Sequence, residues 1–528
     1  MRGVMLTHRM LHRIAPALFT SRPGLPLDIP GPPPGRYLST GGALLPWAED
    51  SLGHATKLFR DYGRVVALVR GGGMRHIACS VDCPGTVLCH GADLNQKITS
   101  AHEVYSKSYL SGALHPGPDP EPRKRPLLSF GAGLFSVNGD EHRLHRRLLT
   151  PLFSRRRLSQ YCEQMVAVTQ ETLQTWRLGQ VRETSSDMRL LTARVVTRTL
   201  FGNDASLAVD AASRALKESL DLMGKPLTRL LTFDLPGLPY RRYLDAAADL
   251  ERHVQALLDA KKRSPVESDD MLSAFLHAQD EESGAKLSDQ EILGHVSVFF
   301  AAGHETTAHA LGWTLLLLAC FPRVAEKVQA ELERVLGQSA PSFEQLEQLE
   351  YLGSVIKESL RLFTPAPWNG RVLTEQVELD GYTIPAGSEV FLSLYETHRR
   401  DPIYERPYAF EPERWEHIRP SAYQYAPFSA GPRTCIGAMF AQIELKVVLA
   451  LVLQRFRLEL VSSRIDRFAE MVLCTKQPLL MRVQAADGRF QRSVRPFSGD
   501  VHEMVEFPRH TDARPAPNRR SDAEALGD

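Results

Sequence analysis

Apolar residues fall into three kinds of pattern along this chain, and each predicts a different element. Leu293 to Cys320 contains no proline and is rich in alanine, leucine and phenylalanine, which predicts one long helix through the core. Between Tyr351 and Phe363, residues Leu352, Val355, Ile356 and Leu360 share one face of a second helix. Glu358 and Arg361, three apart, meet on one side of it. A third apolar helix follows Cys435. Near the N-terminus the pattern is amphipathic: Leu6, Met10, Ile14 and Leu18 recur every fourth position, with Pro16 as an interruption. From Met1 to Leu27 there are four arginines and no acid. Such a segment could contact a membrane surface, act as an organelle leader, or be a poorly ordered extension.

Polar and proline-rich stretches divide the chain. Pro30 to Pro34 reads as a stiff hinge closing an N-terminal extension of residues 1–34. A globular domain is expected over 35–485, with a surface loop at Gly117 to Arg125 inside it. From Ala486 prolines, arginines and polar residues leave little to bury, so 486–528 is expected to be a disordered tail.

Composition narrows the setting. The chain has 528 residues, long for one domain, and its formal net charge of +1 gives no reason to expect nucleic acid. The seven cysteines, at 79, 83, 89, 162, 320, 435 and 474, lack the spacing of a disulfide framework, which points to a reducing compartment and a cytoplasmic protein. Cys79, Cys83 and Cys89, with His76 and His90 nearby, fit no CxxC pair. Ile77, Val81, Val87 and Leu88 make them core residues rather than zinc ligands. No run of 18 apolar residues offers a membrane span.

Two segments break the rules of ordinary core packing. In the middle of the long helix, Ala301-Ala302-Gly303-His304-Glu305-Thr306-Thr307 places a glycine and polar groups where apolar side chains pack better. Such local violations mark functional sites. The run Phe428-Ser429-Ala430-Gly431-Pro432-Arg433-Thr434-Cys435-Ile436-Gly437 sets one cysteine between two glycines, beside an arginine, at the start of a helix. Gly431 permits a turn with positive φ, and the helix N-terminus favours a negative sulfur.

The pattern F-x-x-G-x-R-x-C-x-G resembles the haem-binding signature of the cytochrome P-450 family at every fixed position. The resemblance runs from about residue 35 to 485. It implies a mostly α fold with a small β-sheet region, the haem lying between the long helix and the helix after the cysteine. Cys435 then ligates the iron of heme b as a thiolate, a mode of ligation known for this family. Phe428 shields the sulfur, Gly437 lets backbone approach the macrocycle, and Arg433 pairs with a propionate. The segment Ala302 to Thr307 is similar to the family's oxygen-activation motif. On that match Glu305 is the acid and Thr306 the alcohol of a proton relay, with Ala302 and Gly303 opening a groove beside the iron. A bond from Thr306 back to its own helix is the alternative. His142 and Arg146 match a helix over the haem edge, where many relatives carry tryptophan at the position of His142. Arg371 matches an arginine on a strand beside the haem. Glu358, Arg361 and Arg414 match a buried structural ion group.

The implied activity is a monooxygenase acting on an apolar small molecule, by hydroxylation or epoxidation. Its electrons come from a ferredoxin and ferredoxin reductase. A peroxide-driven enzyme and a non-catalytic haem sensor are the alternatives, and the Glu305-Thr306 pair argues against both. Arg143, Arg147, Arg155, Arg156 and Arg157 form either a docking face for the electron carrier or a solvated face. Val298, Phe299, Ala302, Pro367, Trp368 and Leu473 to Thr475 are expected to line the pocket, under a loop from about Lys107 to Leu134. A fatty acid, a terpenoid and a polyketide all remain open as substrates.

Overall fold

The computed structural model describes residues 24–33, 44–72, 83–107, 114, 116, 119–202, 207–223, 225, 227–228, 232–263, 269–469 and 471–508. Strands β1 (Val65–Ala67) and β2 (Thr86–Cys89) are followed by helix α1 (Ala92–Ser100) and strand β3 (Tyr105–Ser106). A helical body comes next: α2 (Gly139–Leu149), α3 (Arg155–Leu173), α4 (Thr184–Phe201), α5 (Leu207–Met223), α6 (Pro239–Arg263) and α7 (Asp289–Cys320). Helix α8 (Glu350–Leu362) leads into β4 (Trp368–Leu373) and β5 (Glu389–Ser393), then α9 (Leu394–Arg400), α10 (Arg414–His417) and α11 (Ala438–Arg455). The fold is mostly α with small sheets, as expected.

The five-stranded sheet has the order β1-β2-β5-β4-β3. β2 and β5 run parallel, in register Thr86↔Glu389, and the other neighbours are antiparallel. Cys89 sits in β2 opposite Val65, and Cys83 is buried beside it, so both are core residues. His76 and Cys79 lie outside the described residues.

Helix α7 is the axis of the molecule. Its 32 residues span about 48 Å at 1.5 Å per residue. Ser288 caps it in a capping box with Glu291, and Phe321-Pro322 ends it. It is buried almost continuously from Ile292 to Cys320, packed by α4, α6 and α11. Trp313 stacks on Phe363 with centroids 4.3 Å apart and donates its N–H to Leu473 O at 3.1 Å. No single helix among the described residues is long and apolar enough to cross a membrane.

Both domain boundaries shift. Residues 24–33, expected in a loose extension, are docked along β1: Ala67 N–H donates to Pro30 O at 2.8 Å and Arg70 N–H to Pro32 O at 2.9 Å, with Ile29 fully buried. The prolines supply acceptors and need no donor of their own, so the run works as a cover rather than a hinge. At the other end the chain beyond 485 packs back on the body. Val501 and Met504 are fully buried, and Arg399 donates to Met504 O at 3.3 Å. Apolar side chains spaced among polar ones, at Phe490, Val501, Met504 and Val505, were enough to anchor it. Residues 1–23, 34–43 and 509–528, with the amphipathic N-terminal pattern and the end of the tail, lie outside the described residues.

Candidate functional site: a cysteine loop beneath a cationic cavity

The loop carrying Cys435 is fixed from three sides. Gly431 has φ 69°, and a Cβ there would stand 2.6 Å from Thr99 O at the end of α1. Only glycine allows that approach. The backbone N–H of Cys435 donates to Phe428 O at 2.8 Å, and Thr434 N–H donates to Gly431 O at 3.0 Å. Gly437 caps α11 with an ordinary φ of −87°, and a Cβ would meet only Phe153, at 3.9 Å. Neither conformation nor the protein's own packing demands glycine at 437. The demand comes from the cavity it lines.

The loop is held to the core through a buried ion group. Glu358 accepts from Arg361 Nε at 3.0 Å and Nη2 at 2.9 Å, from Arg414 Nε at 2.8 Å and from Trp415 Nε1 at 3.1 Å. Arg361 also donates to His398 O and Pro407 O. His398 in turn accepts from Ala426 N–H at Nε2, 3.0 Å away, so its proton sits on Nδ1 and points to Thr364 Oγ1 at 2.9 Å. A chain of bonds therefore runs from α8 to two residues before Phe428.

Cys435 is exposed, and what it is exposed to is a cavity of about 280 Å³. The opposite wall is α7, contributing Val298, Phe299, Ala302, Gly303, Thr306 and Thr307. Gly303 also lets α4 pack close, since a Cβ would reach Val196 Cγ2 at 2.9 Å. Burial pushes the Cys435 thiol up, against the lowering effect of the Gly437 N–H and of the Arg146 and Lys107 charges. Net, the protein alone does not hold a thiolate. A bound metal ion deprotonates a coordinating thiol outright.

One edge of the cavity is cationic. Arg433 donates through Nη2 to Val137 O and Asn138 Oδ1, both at 2.6 Å, and its Nε has no partner. Arg146 donates to Thr434 O at 2.6 Å, and buried His142 leaves Nδ1 unpartnered. Arg371 donates to Asn369 Oδ1 and Gly370 O but leaves Nε unpartnered, and it stands just behind the lining residues. Lys107 joins them. Burial and the charges of Arg371 and Arg433 pull its amine down to about 7. The same causes lower Arg433 to about 10, Arg371 to about 9 and His142 to about 3. No carboxylate pairs with these cations among the described residues. Buried like charges with orphaned N–H groups call for a ligand carrying more than one negative charge, and the two propionates of a haem meet that need. Lys107 was missed in the sequence because a lysine in a loop is solvated by default.

Other expectations need correction. Glu305 is not in the cavity wall. It lies between His304 Nε2 at 3.1 Å and His309 Nε2 at 3.0 Å, and these two hold its carboxyl well below the usual range despite burial. Thr306 does line the cavity, and it makes the back-bond, donating to Ala302 O at 2.5 Å. Trp368 lines the cavity but Pro367 does not, and neither does Leu473 to Thr475, whose backbone is spent on Pro365 and Trp313. Their place is taken by Leu134, Phe135, Phe153, Val196 and Leu200. Of the five arginines read as a basic region, four are paired within the chain: Arg143 with Glu103 and Asp140, Arg147 with Asp280, Arg155 with Glu347 and Arg157 with Asp269. Most of that face is a neutralised, solvated one.

The loop, the cationic edge and the long helix define a haem-thiolate site, and comparison with known proteins agrees. The chain belongs to the cytochrome P-450 family, whose model, Cytochrome P-450, matches residues 97–483. It is 32% identical over 444 residues to a cyclooctat-9-en-7-ol 5-monooxygenase of Streptomyces melanosporofaciens, covering 81% of this chain and 91% of that one. A cytokinin hydroxylase of Arabidopsis thaliana is 34% identical over 364 residues, covering 66% and 70%. Among solved structures, the retinoic acid-bound cyanobacterial CYP120A1 shares the fold, with a TM-score of 0.71 at 22% identity over 88% of this chain and all of that one. The protein is a haem-dependent monooxygenase: it inserts one oxygen atom of dioxygen into an apolar small molecule, using a redox partner and a haem held by cysteine thiolate.

Proposed function

We propose that Cys435 is the thiolate ligand of a heme b whose propionates are held by Lys107, His142, Arg146 and Arg433, with Arg371 behind them, and that the substrate is a compact, uncharged isoprenoid. The observation that carries the substrate reading is where the charges lie. The ionisable side chains lining the cavity, apart from Cys435, are Lys107, His142, Arg146 and Arg433, which act on one another at the cationic edge. The walls supplied by α4 and α7 are hydrocarbon, with Thr199 and Thr306 bonded back to their own helices. A fatty acid would bury its carboxylate there without a cation, at a cost of several kcal/mol. The relatives that act on a cyclooctatin precursor and on cytokinins agree with an isoprenoid skeleton. A ferredoxin with its reductase supplies the electrons.

When bound, the haem supplies the oxygen chemistry. The chain's own residues position it, keep water out and manage protons. Phe153, Val298 and Phe299 surround the substrate space with hydrocarbon. Thr306 presents oxygen lone pairs to the cavity, since its hydrogen goes to Ala302 O. A water accepted there is fixed within reach of the reacting centre.

Titration of the ferric holoenzyme tests the substrate. Cyclic diterpene hydrocarbons are expected to shift the Soret band saturably, and long-chain fatty acids at equal concentration are not. A saturable shift with fatty acids alone would overturn the isoprenoid reading. Thr306→Ala tests the wall of α7. It removes the water-fixing hydroxyl, so product formed per electron pair should fall about tenfold or more, with peroxide released in its place. Product yield equal to wild type would remove Thr306 from the mechanism.

A further inference from the structure

Helix α11 carries a second carboxyl beside the cavity. Glu444 is fully buried, neither of its oxygens has an aligned hydrogen-bond partner, and no cation pairs with it among the described residues. Ala441 and Leu445, on either side of it along the helix, both line the cavity. The one polar side chain that bears on it is that of Thr307, across the α7–α11 contact. Thr307 is itself a buried residue of the cavity wall.

We propose that Glu444 is kept as a neutral carboxylic acid that donates its hydrogen to Thr307 Oγ1, making the Thr307 hydroxyl a hydrogen-bond donor to the cavity. A buried carboxylate with no cation costs several kcal/mol, so the proton stays on. Burial accordingly pushes the Glu444 carboxyl well above the ordinary range.

Counting hydrogens shows why this matters. A hydroxyl has one hydrogen and two lone pairs. Thr306 gives its hydrogen to Ala302 O, so it can only accept from the cavity. Glu305 is charged, is held by two histidines and lies outside the wall. Thr307, filled from behind by a neutral acid, is the hydroxyl of this wall that is free to donate. Thr306 and Thr307 then present an acceptor and a donor side by side, which fixes the orientation of a water between them. Glu444 is a positioning residue: it acts through Thr307 and touches no substrate.

The role rests on the haem-pocket reading above, so the test separates the two. Infrared difference spectra of the ferric holoenzyme, wild type against Glu444→Gln, are expected to show the carbonyl stretch of a protonated carboxylic acid that the variant lacks. Thr307→Val should move that band, because the acid loses its acceptor. A carboxylate signal in wild type, or a band that Thr307→Val leaves in place, overturns the proposal whatever the activity. During turnover, Glu444→Met should raise the share of electrons lost to peroxide several-fold, and Glu444→Gln, whose amide can still donate, should release less peroxide than Glu444→Met. Equal peroxide release from the two would reduce Glu444 to a structural role. Should Glu444→Met fail to fold, the infrared comparison of the other variants decides. Failure of Thr306→Ala to uncouple, with the infrared result intact, would count against the haem-pocket mechanism and not against the Glu444–Thr307 pair.

Discussion

Cys435→Ser is expected to abolish monooxygenase turnover while leaving the chain folded. The side chain opens into the cavity and is absent from the buried core, so replacing sulfur by oxygen removes no packing. The backbone bonds that shape the loop, from Cys435 N–H to Phe428 O and from Ala438 N–H to Cys435 O, do not involve the side chain. What is lost is the ligand. A thiolate donates electron density that favours O–O cleavage, and an alcohol neither ionises as readily nor donates as much. Circular dichroism should match wild type, product formation should fall to background, and the reduced carbon monoxide complex should lose the red-shifted Soret band of thiolate ligation. Residual turnover with that band intact would mean that another residue ligates the iron.

Glu358→Ala is the second large effect, and it acts on stability. The carboxylate and Arg361 are both fully buried, and Arg414 is nearly so. Removing the acid strands two guanidinium groups in the core and also orphans the Trp415 indole N–H and the Glu411 backbone N–H. Breaking a buried pair by deleting one partner costs about 3–5 kcal/mol, a large share of the roughly 5–15 kcal/mol that holds a typical domain together. Because Arg361 leads through His398 to Ala426, the damage reaches the cysteine loop. The expected result is a denaturation midpoint shifted well below wild type and a purified protein with little haem. A midpoint within error of wild type would show that the two arginines find other partners.

The elements most readable in the chain were those with local causes. The long helix follows from an unbroken apolar run, and the structure begins it at Asp289, four residues before Leu293, because Ser288 and Glu291 make a capping box. The turn at Gly431 follows from a glycine that only a close carbonyl and a positive φ would require. Glu358 and Arg361 meet because three residues of helix put them on one side. Less readable were the residues whose meaning depends on a distant partner. Glu305 looked like the cavity acid because it precedes Thr306, but a helix turns by about 100° per residue, and that turn brought it between His304 and His309 instead. Four arginines of a basic-looking stretch are cancelled by acids at positions 103, 140, 280, 347 and 269, which no spacing along the chain could pair with them.

By itself, then, the sequence determined the class of chemistry: a cysteine in a glycine-bounded loop, a helix broken in its apolar character at one point, and a buried ion pair to hold them. Those are statements about short segments, where backbone geometry and helical periodicity act over a few residues. Tertiary structure alone decided which charges face the cavity and which are spent elsewhere. Lys107 became part of a cationic edge, and Glu444 became an acid with only Thr307 for company, because folding removed both from water and brought no countercharge to either among the described residues. Desolvation and pairing depend on what the rest of the chain brings within a few ångströms, and that is set only when the helices have packed.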